Sequence, residues 1–303
     1  MEETKEQHIV PSAYLKRFTF DDDKGRDTKI YFFNINNKHN GITNTNHMPK
    51  ERNFYDIEEL AENKKILEIY FNRIETKMDR LLHDLSSKII IAKNARRFDY
   101  VDITNSERSE LSAQVAFMIV RTKSFRNMFH SIYSQIVESG KNFSISIPEY
   151  SKSDIKRVHN KTILIHEIVH FYANLFDDSN CVFLINHTNT PFITSDNPVV
   201  MINHKKDGSI YPSLPNSVDV THFFPISPKV GIQFYHKSIA KKDSVYFDIN
   251  DERMINFFNN EIIKNANLFL FSNESLLNRI TMENSYDQTW TVNWTALPGW
   301  GGI

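Results

Sequence analysis

What this chain lacks bounds what it can do. One cysteine in 303 residues, Cys181, cannot form an internal disulfide, and a reducing compartment is expected. Followed by Val-Phe-Leu-Ile, it reads as a buried strand residue. Glycine is scarce, at 8 residues, three of them (Gly299, Gly301 and Gly302) near the end. No GxGxxG or GxxxxGK pattern occurs, which excludes glycine-loop phosphate cradles. Neither sign of charge is in excess: 36 Lys and Arg against 37 Asp and Glu give a net charge of -1. That removes the simplest case for non-specific nucleic-acid binding and leaves only a local basic patch. No apolar run reaches the roughly 18 residues of a spanning helix. The opening Met-Glu-Glu-Thr-Lys-Glu has no apolar signal core. The expectation is a soluble, cytoplasmic protein with no membrane partner, long enough to bury a substantial core.

Against this background one N-terminal stretch stands out, Gln7-His8-Ile9-Val10-Pro11-Ser12-Ala13-Tyr14-Leu15-Lys16-Arg17-Phe18. Pro11 fixes its own φ and pushes Val10 towards an extended conformation, so the chain should enter extended and turn into a short helix. Tyr14, Leu15 and Phe18 then share an inward face. Gln7 and His8 fall just before the helix, near the positive end of its dipole, where free N–H groups can receive an anion. The alternative is an N-terminal anchor in which His8 only caps or hydrogen-bonds the core.

Downstream, Lys29 to Ile35 reads as a strand, residues 36 to 50 as a loop, and Asn53-Phe54-Tyr55 as a re-entry into the fold. From about Ile57 to Asn94, apolar residues at helical spacing predict one long helix or two broken ones. Glu68 and Glu75 lie a heptad apart on it, and Glu75 is either a solvated charge or an acidic group facing a site. Thr104 with Glu107 signals an N-cap for a second helix running to Gly140. On it Gln114 and Arg121 share a face two turns apart. Arg121, set among apolar neighbours, needs a carboxylate or a bound phosphate as partner.

A third helix, from Ser151 or Ser153 to about Phe176, carries His166-Glu167-Ile168-Val169-His170. This matches H-E-x-x-H, in which two histidines one turn apart bind zinc and the glutamate is general base. The third ligand would have to come from Asp177, Asp178, His187 or a position the sequence does not mark, and the surrounding Thr162 to Phe176 is apolar nearly all round, which points to a buried helix instead. Residues 181–186 and 192–194 read as a hairpin-like pair, with strands following at 199–202, 221–228 and 230–236. Between the first of these, Thr194-Ser195-Asp196-Asn197-Pro198 is a turn that either exposes hydroxyls and a carboxylate or is simply an Asx-turn. A helix over 251–266 and a strand over 268–271 complete the body. The tail, 286–303, contains every tryptophan and suits docking on a phage protein, a second copy or the body itself. The fold class expected is α+β, one domain over 1–303. A helical part at about 57–178 packs on a mostly antiparallel sheet from about 181–271 plus 29–35.

Gln7-His8-x-Val10-Pro11-x-x-Tyr14-Leu15-x-x-Phe18 and Phe192-Ile193-Thr194-Ser195-Asp196-Asn197-Pro198-Val199 resemble the two signatures of a bacterial family known as domain of unknown function 4238. Asn53-Phe54-Tyr55 and the helix from Gln114 to Arg121-Thr122 lie between them in the family's order. The resemblance covers most of the chain but implies no reaction; some members resemble single-gene defence proteins against phage. The functional expectation is an anti-phage effector, a metal-independent hydrolase without cofactor acting on nucleic acid, RNA among the candidates. His8 is the general acid/base, and Asp196 orients it or is the second such group. Arg121 holds a phosphate, while Gln7, Tyr14, Gln114, Thr194 and Ser195 bind substrate. A zinc peptidase built on His166, Glu167 and His170, and a non-enzymatic sensor of a phage component, are the alternatives.

Overall fold

The computed structural model describes residues 6–20, 28–47, 49–94, 100–142, 148, 150–204, 215–239 and 243–275. The Trp-rich tail over 286–303 lies outside the described residues.

The chain enters as strand β1 (Glu6–His8). It passes through a four-residue helix α1 (Ser12–Leu15), capped at Pro11 (φ -56°), into a 3₁₀ turn over Lys16–Phe18. Tyr14, Leu15 and Phe18 are fully buried, as their spacing predicts. One helical turn has almost no macrodipole, so the anion site expected at its start has no physical basis. The expected loop at 36–50 is a strand region: β2 (Lys29–Asn34) pairs with β3 (Asn40–Asn44), and β4 (Lys50–Arg52) pairs with β1.

A 3₁₀ segment, Glu58–Asn63, leads into the long helix α2 (Ile66–Asn94). Thr104 and Glu107 close the expected capping box on α3 (Asn105–Val120). The helix does not continue to Gly140. It stops at Arg121, and a new one, α4 (Lys123–Asn142), starts there because the Thr122 hydroxyl accepts from the Phe125 N–H at 3.1 Å. The third expected helix is likewise two, α5 (Lys152–Leu164) and α6 (Glu167–Asp177), broken where His166 takes a left-handed φ of 61°.

The remaining strands are β5 (Ser179–Asn186), β6 (Thr194–Ser195), β7 (Val200–Asn203), β8 (Val220–Ser227), β9 (Val230–His236), β10 (Val245–Ile249) and β11 (Phe269–Ser272). Helix α7 (Glu252–Asn265) lies between the last two. They form a five-stranded sheet, ordered β10-β5-β9-β8-β7 and antiparallel except for β10 with β5, and an antiparallel four-stranded sheet, ordered β3-β2-β11-β6. The segments 181–186 and 192–194 therefore do not form a hairpin: the first lies in β5, and of the second only Thr194 is in a strand, β6 of the other sheet. The architecture is α+β with sheets rich in antiparallel pairs.

The central strands β5, β8 and β9 of the five-stranded sheet are buried on both faces. Phe183 and Phe224 enter the core shared with α1, α2, α3 and α6, while their neighbours Leu184 and Phe223 enter a second core with α7. Strands covered on both sides need continuous apolar runs, which Cys-Val-Phe-Leu-Ile supplies. Cys181 is buried there, its thiol pushed up to about 11 by desolvation, which leaves it unreactive. The close approach of strands to rings fixes Gly231: a Cβ there would sit 2.5 Å from Phe223 Cε2 and 3.4 Å from Phe192 Cε2. Gly231→Ala is expected to cost about 1–3 kcal/mol by overpacking, read as a fall in urea midpoint. An unchanged midpoint would mean that the aromatic pair yields freely. Among the described residues no helix is long and apolar enough to cross a membrane.

Candidate functional site

The site is assembled from three distant stretches. In β1 alternate residues face opposite ways, so Gln7 is buried while His8 is half-buried. Its partner β4 runs straight into Asn53-Phe54-Tyr55, where Asn53 adopts a φ of 53° that asparagine tolerates better than most residues. Gln7 bolts this element down: its Oε1 accepts from the Tyr55 N–H at 2.6 Å. Its Nε2 donates to Asp56 Oδ1 at 2.6 Å and to Glu68 Oε2 of α2 at 3.0 Å. From the other side, Arg126 of α4 stacks on the Phe54 ring at 3.4 Å and donates to the Phe54 carbonyl, with Asn160 bonding the same oxygen.

Arg121 arrives from the α3–α4 break, nearly fully buried. Its Nη1 lies 2.8 Å from Glu75 Oε1, its Nη2 donates to the His8 carbonyl at 2.9 Å, and its Nε donates to the Tyr55 hydroxyl at 3.5 Å. The guanidinium also lies 4.7 Å from the Phe71 ring centroid. The carboxylate that Arg121 requires is therefore Glu75, which faces the site and is not a solvated charge. His8 Nε2 lies 3.2 Å from the Asn46 carbonyl, which makes Nε2 the protonated nitrogen; Nδ1 meets no partner among the described residues. Burial, then the Lys50 charge, holds the His8 imidazole below its ordinary pKa, so it is neutral at pH 7. Gln7, His8, Tyr55, Glu68, Phe71, Asn72, Glu75 and Arg121 line one small cleft of about 30 Å³. An unprotonated ring nitrogen that shares a cleft with a fixed guanidinium can accept a proton while negative charge develops nearby.

The second motif does not join this cleft. Both Asp196 oxygens are occupied by backbone amides, Oδ1 by Asn267 at 2.9 Å and Oδ2 by Leu268 at 2.8 Å. Ser195 and Asn197 close a local turn on each other. The fully buried Thr194 hydroxyl lies 2.8 Å from the Tyr14 hydroxyl, which donates to the Pro225 carbonyl at 2.6 Å. Burial pushes the Tyr14 phenol far above its usual range. Tyr14, Thr194, Ser195 and Asp196 thus bind the chain to itself: one motif's helix to the other motif's strand, and that strand's turn to β11. Gln114 also lies outside the cleft, donating to the Ile74 carbonyl of α2.

His166-Glu167-Ile168-Val169-His170 does not lie on one helix, because α5 and α6 are separate. His166 is the residue before α6, its Nδ1 is 3.1 Å from the Tyr70 hydroxyl, and its ring centroid is 6.4 Å from that of His170. The stretch is not buried either: Glu167 and His170 are exposed, while Val169, Tyr172 and Phe176 face inward. Asp177 meets Ser109, Asp178 meets Lys237, and His187 pairs with Asp248. Among the described residues no three His, Cys, Asp or Glu side chains are grouped to hold a metal.

Fold and cleft together define an α+β protein whose N-terminal strand is held to α2 by Gln7 and to the end of α3 by the buried Arg121. The chain belongs to the family described as Protein of unknown function (DUF4238), whose model matches residues 6–275. No curated protein and no solved structure matches it.

Proposed function

We propose that the chain is a cytoplasmic bacterial effector of phage defence that hydrolyses nucleic acid, RNA in particular, without a metal. The defence setting comes from the resemblance of some family members to single-gene defence proteins. The chemistry is supported by one observation: Arg121, 113 positions from His8, donates to the His8 backbone carbonyl, pairs with Glu75, and lines the same cleft as His8.

In this reading His8 Nδ1 takes a proton from the attacking water as its oxygen bonds to phosphorus. The bond from phosphorus to the leaving oxygen then breaks, and that oxygen receives the proton from His8. Arg121 has three of its five N–H groups engaged; the other two face the charge that builds on the phosphoryl oxygens. Glu75 keeps the guanidinium in place. Labelled single-stranded RNA incubated with the protein in excess EDTA is expected to be cut, and His8→Ala is expected to lose about 10²-fold or more. RNA left intact by the unaltered protein, or cut equally by His8→Ala, overturns the proposal.

A binding role is the second reading. It is favoured by the smallness of the cleft and by internal partners on Gln7, Glu68, Glu75 and Arg121. The cleft then serves as a structural lock in a protein that senses a phage component.

A further inference from the structure

Two roomier cavities lie away from the motif cleft, of about 310 Å³ and 220 Å³, and His222 of β8 lines both. The larger opens between α6 and β8–β9; the smaller lies between the α3–α4 break and β7. His222 is only 5% exposed, its ring set edge-on to Phe176 at 5.2 Å, and neither ring nitrogen makes a hydrogen bond among the described residues. Desolvation holds the imidazole down to about 4, so at neutral pH it offers one N–H donor and one lone pair. A position needing only bulk is better filled by phenylalanine, because an unpaired buried polar group is destabilising. The cost is removed if a molecule in the cavity meets the ring.

The lining says what that molecule is. Among the described residues no lysine or arginine lines either cavity, and the one carboxylate, Asp178, is turned to Lys237 at 3.2 Å. An anion would find no lysine or arginine among them. Asn174, Asn216 and Ser217 supply neutral donors and acceptors, and Phe171, 49% exposed, offers a ring face on which a flat molecule can stack. The larger volume lies at the lower end of the range for small-molecule pockets.

We propose that the cavity at His222 binds an uncharged, planar heteroaromatic molecule of nucleobase to nucleoside size, oriented by the His222 imidazole. The site is separate from the His8 cleft and stands whether or not that cleft is catalytic. The test uses the full chain with adenosine, guanosine, cytidine and uridine at millimolar concentration, read by saturation-transfer NMR and calorimetry. At least one nucleoside is expected to bind, and its 5′-monophosphate to bind about tenfold more weakly, for want of a cation. His222→Phe keeps the packing on Phe176 and removes both nitrogens; it is expected to lose about tenfold in affinity with no loss of melting temperature. Should that variant fail to fold, Asn174→Leu on the exposed side of α6 replaces it with the same expectation. Absence of binding by all four nucleosides, tighter binding of the monophosphates, or undiminished affinity in the variants would overturn the assignment.

Discussion

Asp196→Ala is expected to lower unfolding stability by about 2–4 kcal/mol, because it strips the acceptors from two backbone amides at once. Those amides, of Asn267 and Leu268, immediately precede β11 of the four-stranded sheet, and the Asp196 N–H returns a bond to the Phe269 carbonyl. Losing the carboxylate therefore loosens the junction of β6 with β11 as well as the turn. Urea unfolding should show a lowered midpoint at unchanged slope. Asp196→Asn, which retains one acceptor, should lose less. A midpoint equal to that of the unaltered protein would show that water replaces the carboxylate without cost and would return Asp196 to the list of chemical groups.

The second large effect is loss of stability in mild acid. His159 is fully buried between Val120, whose carbonyl its Nε2 meets at 2.7 Å, and Arg126, whose Nε donates to its Nδ1 at 3.1 Å. Protonating Nδ1 would set a proton against a guanidinium in a dry site. Burial, then the Arg126 charge, pushes His159 down to about 3, and burial pushes His222 down to about 4. In the unfolded chain both titrate near 6.5. Between those limits the unfolded state binds protons that the native state refuses, so stability is complete above about pH 6.5 and falls as pH drops towards 4. At pH 5 the two contribute a loss of about 2 kcal/mol each, a large share of the total stability of about 5–15 kcal/mol usual for a domain. Chemical denaturation at pH 7, 6 and 5 measures this. A flat profile over that range would mean that these rings gain protons without unfolding.

How far the sequence could carry the reading depended on the range of the interactions. Tyr14, Leu15 and Phe18 declare their inward face through spacing alone, and the caps at Thr104, Ser151 and Asp251 are local chemistry within three residues. The requirement that Arg121 have a carboxylate or phosphate was also legible. Which carboxylate was not, because the rotation of α2 about its axis is set by packing against α1 and α3, and only that rotation turns Glu68 and Glu75 towards β1. The break at Arg121-Thr122 was missed because neither proline nor glycine marks it, although a threonine placed three residues before Phe125 was an available N-cap signal. The break at His166 has no such signal: a left-handed histidine between two helices is imposed by tertiary contacts, among them the Tyr70 hydroxyl. Asp196 misled for a different reason. A buried carboxylate that accepts backbone amides and a catalytic one are written with the same letters, and only coordinates show where the lone pairs go.

The measurement that bears most directly on this account sets His8→Ala beside Asp196→Ala and determines, for each, RNA cleavage per folded molecule and unfolding free energy. The account predicts a crossed result: His8→Ala loses cleavage by about 10²-fold or more while keeping most of its stability, and Asp196→Ala loses stability by about 2–4 kcal/mol while its folded fraction still cleaves. Equal loss of cleavage in both variants at unchanged stability would contradict it, since the two motifs would then act as one chemical site.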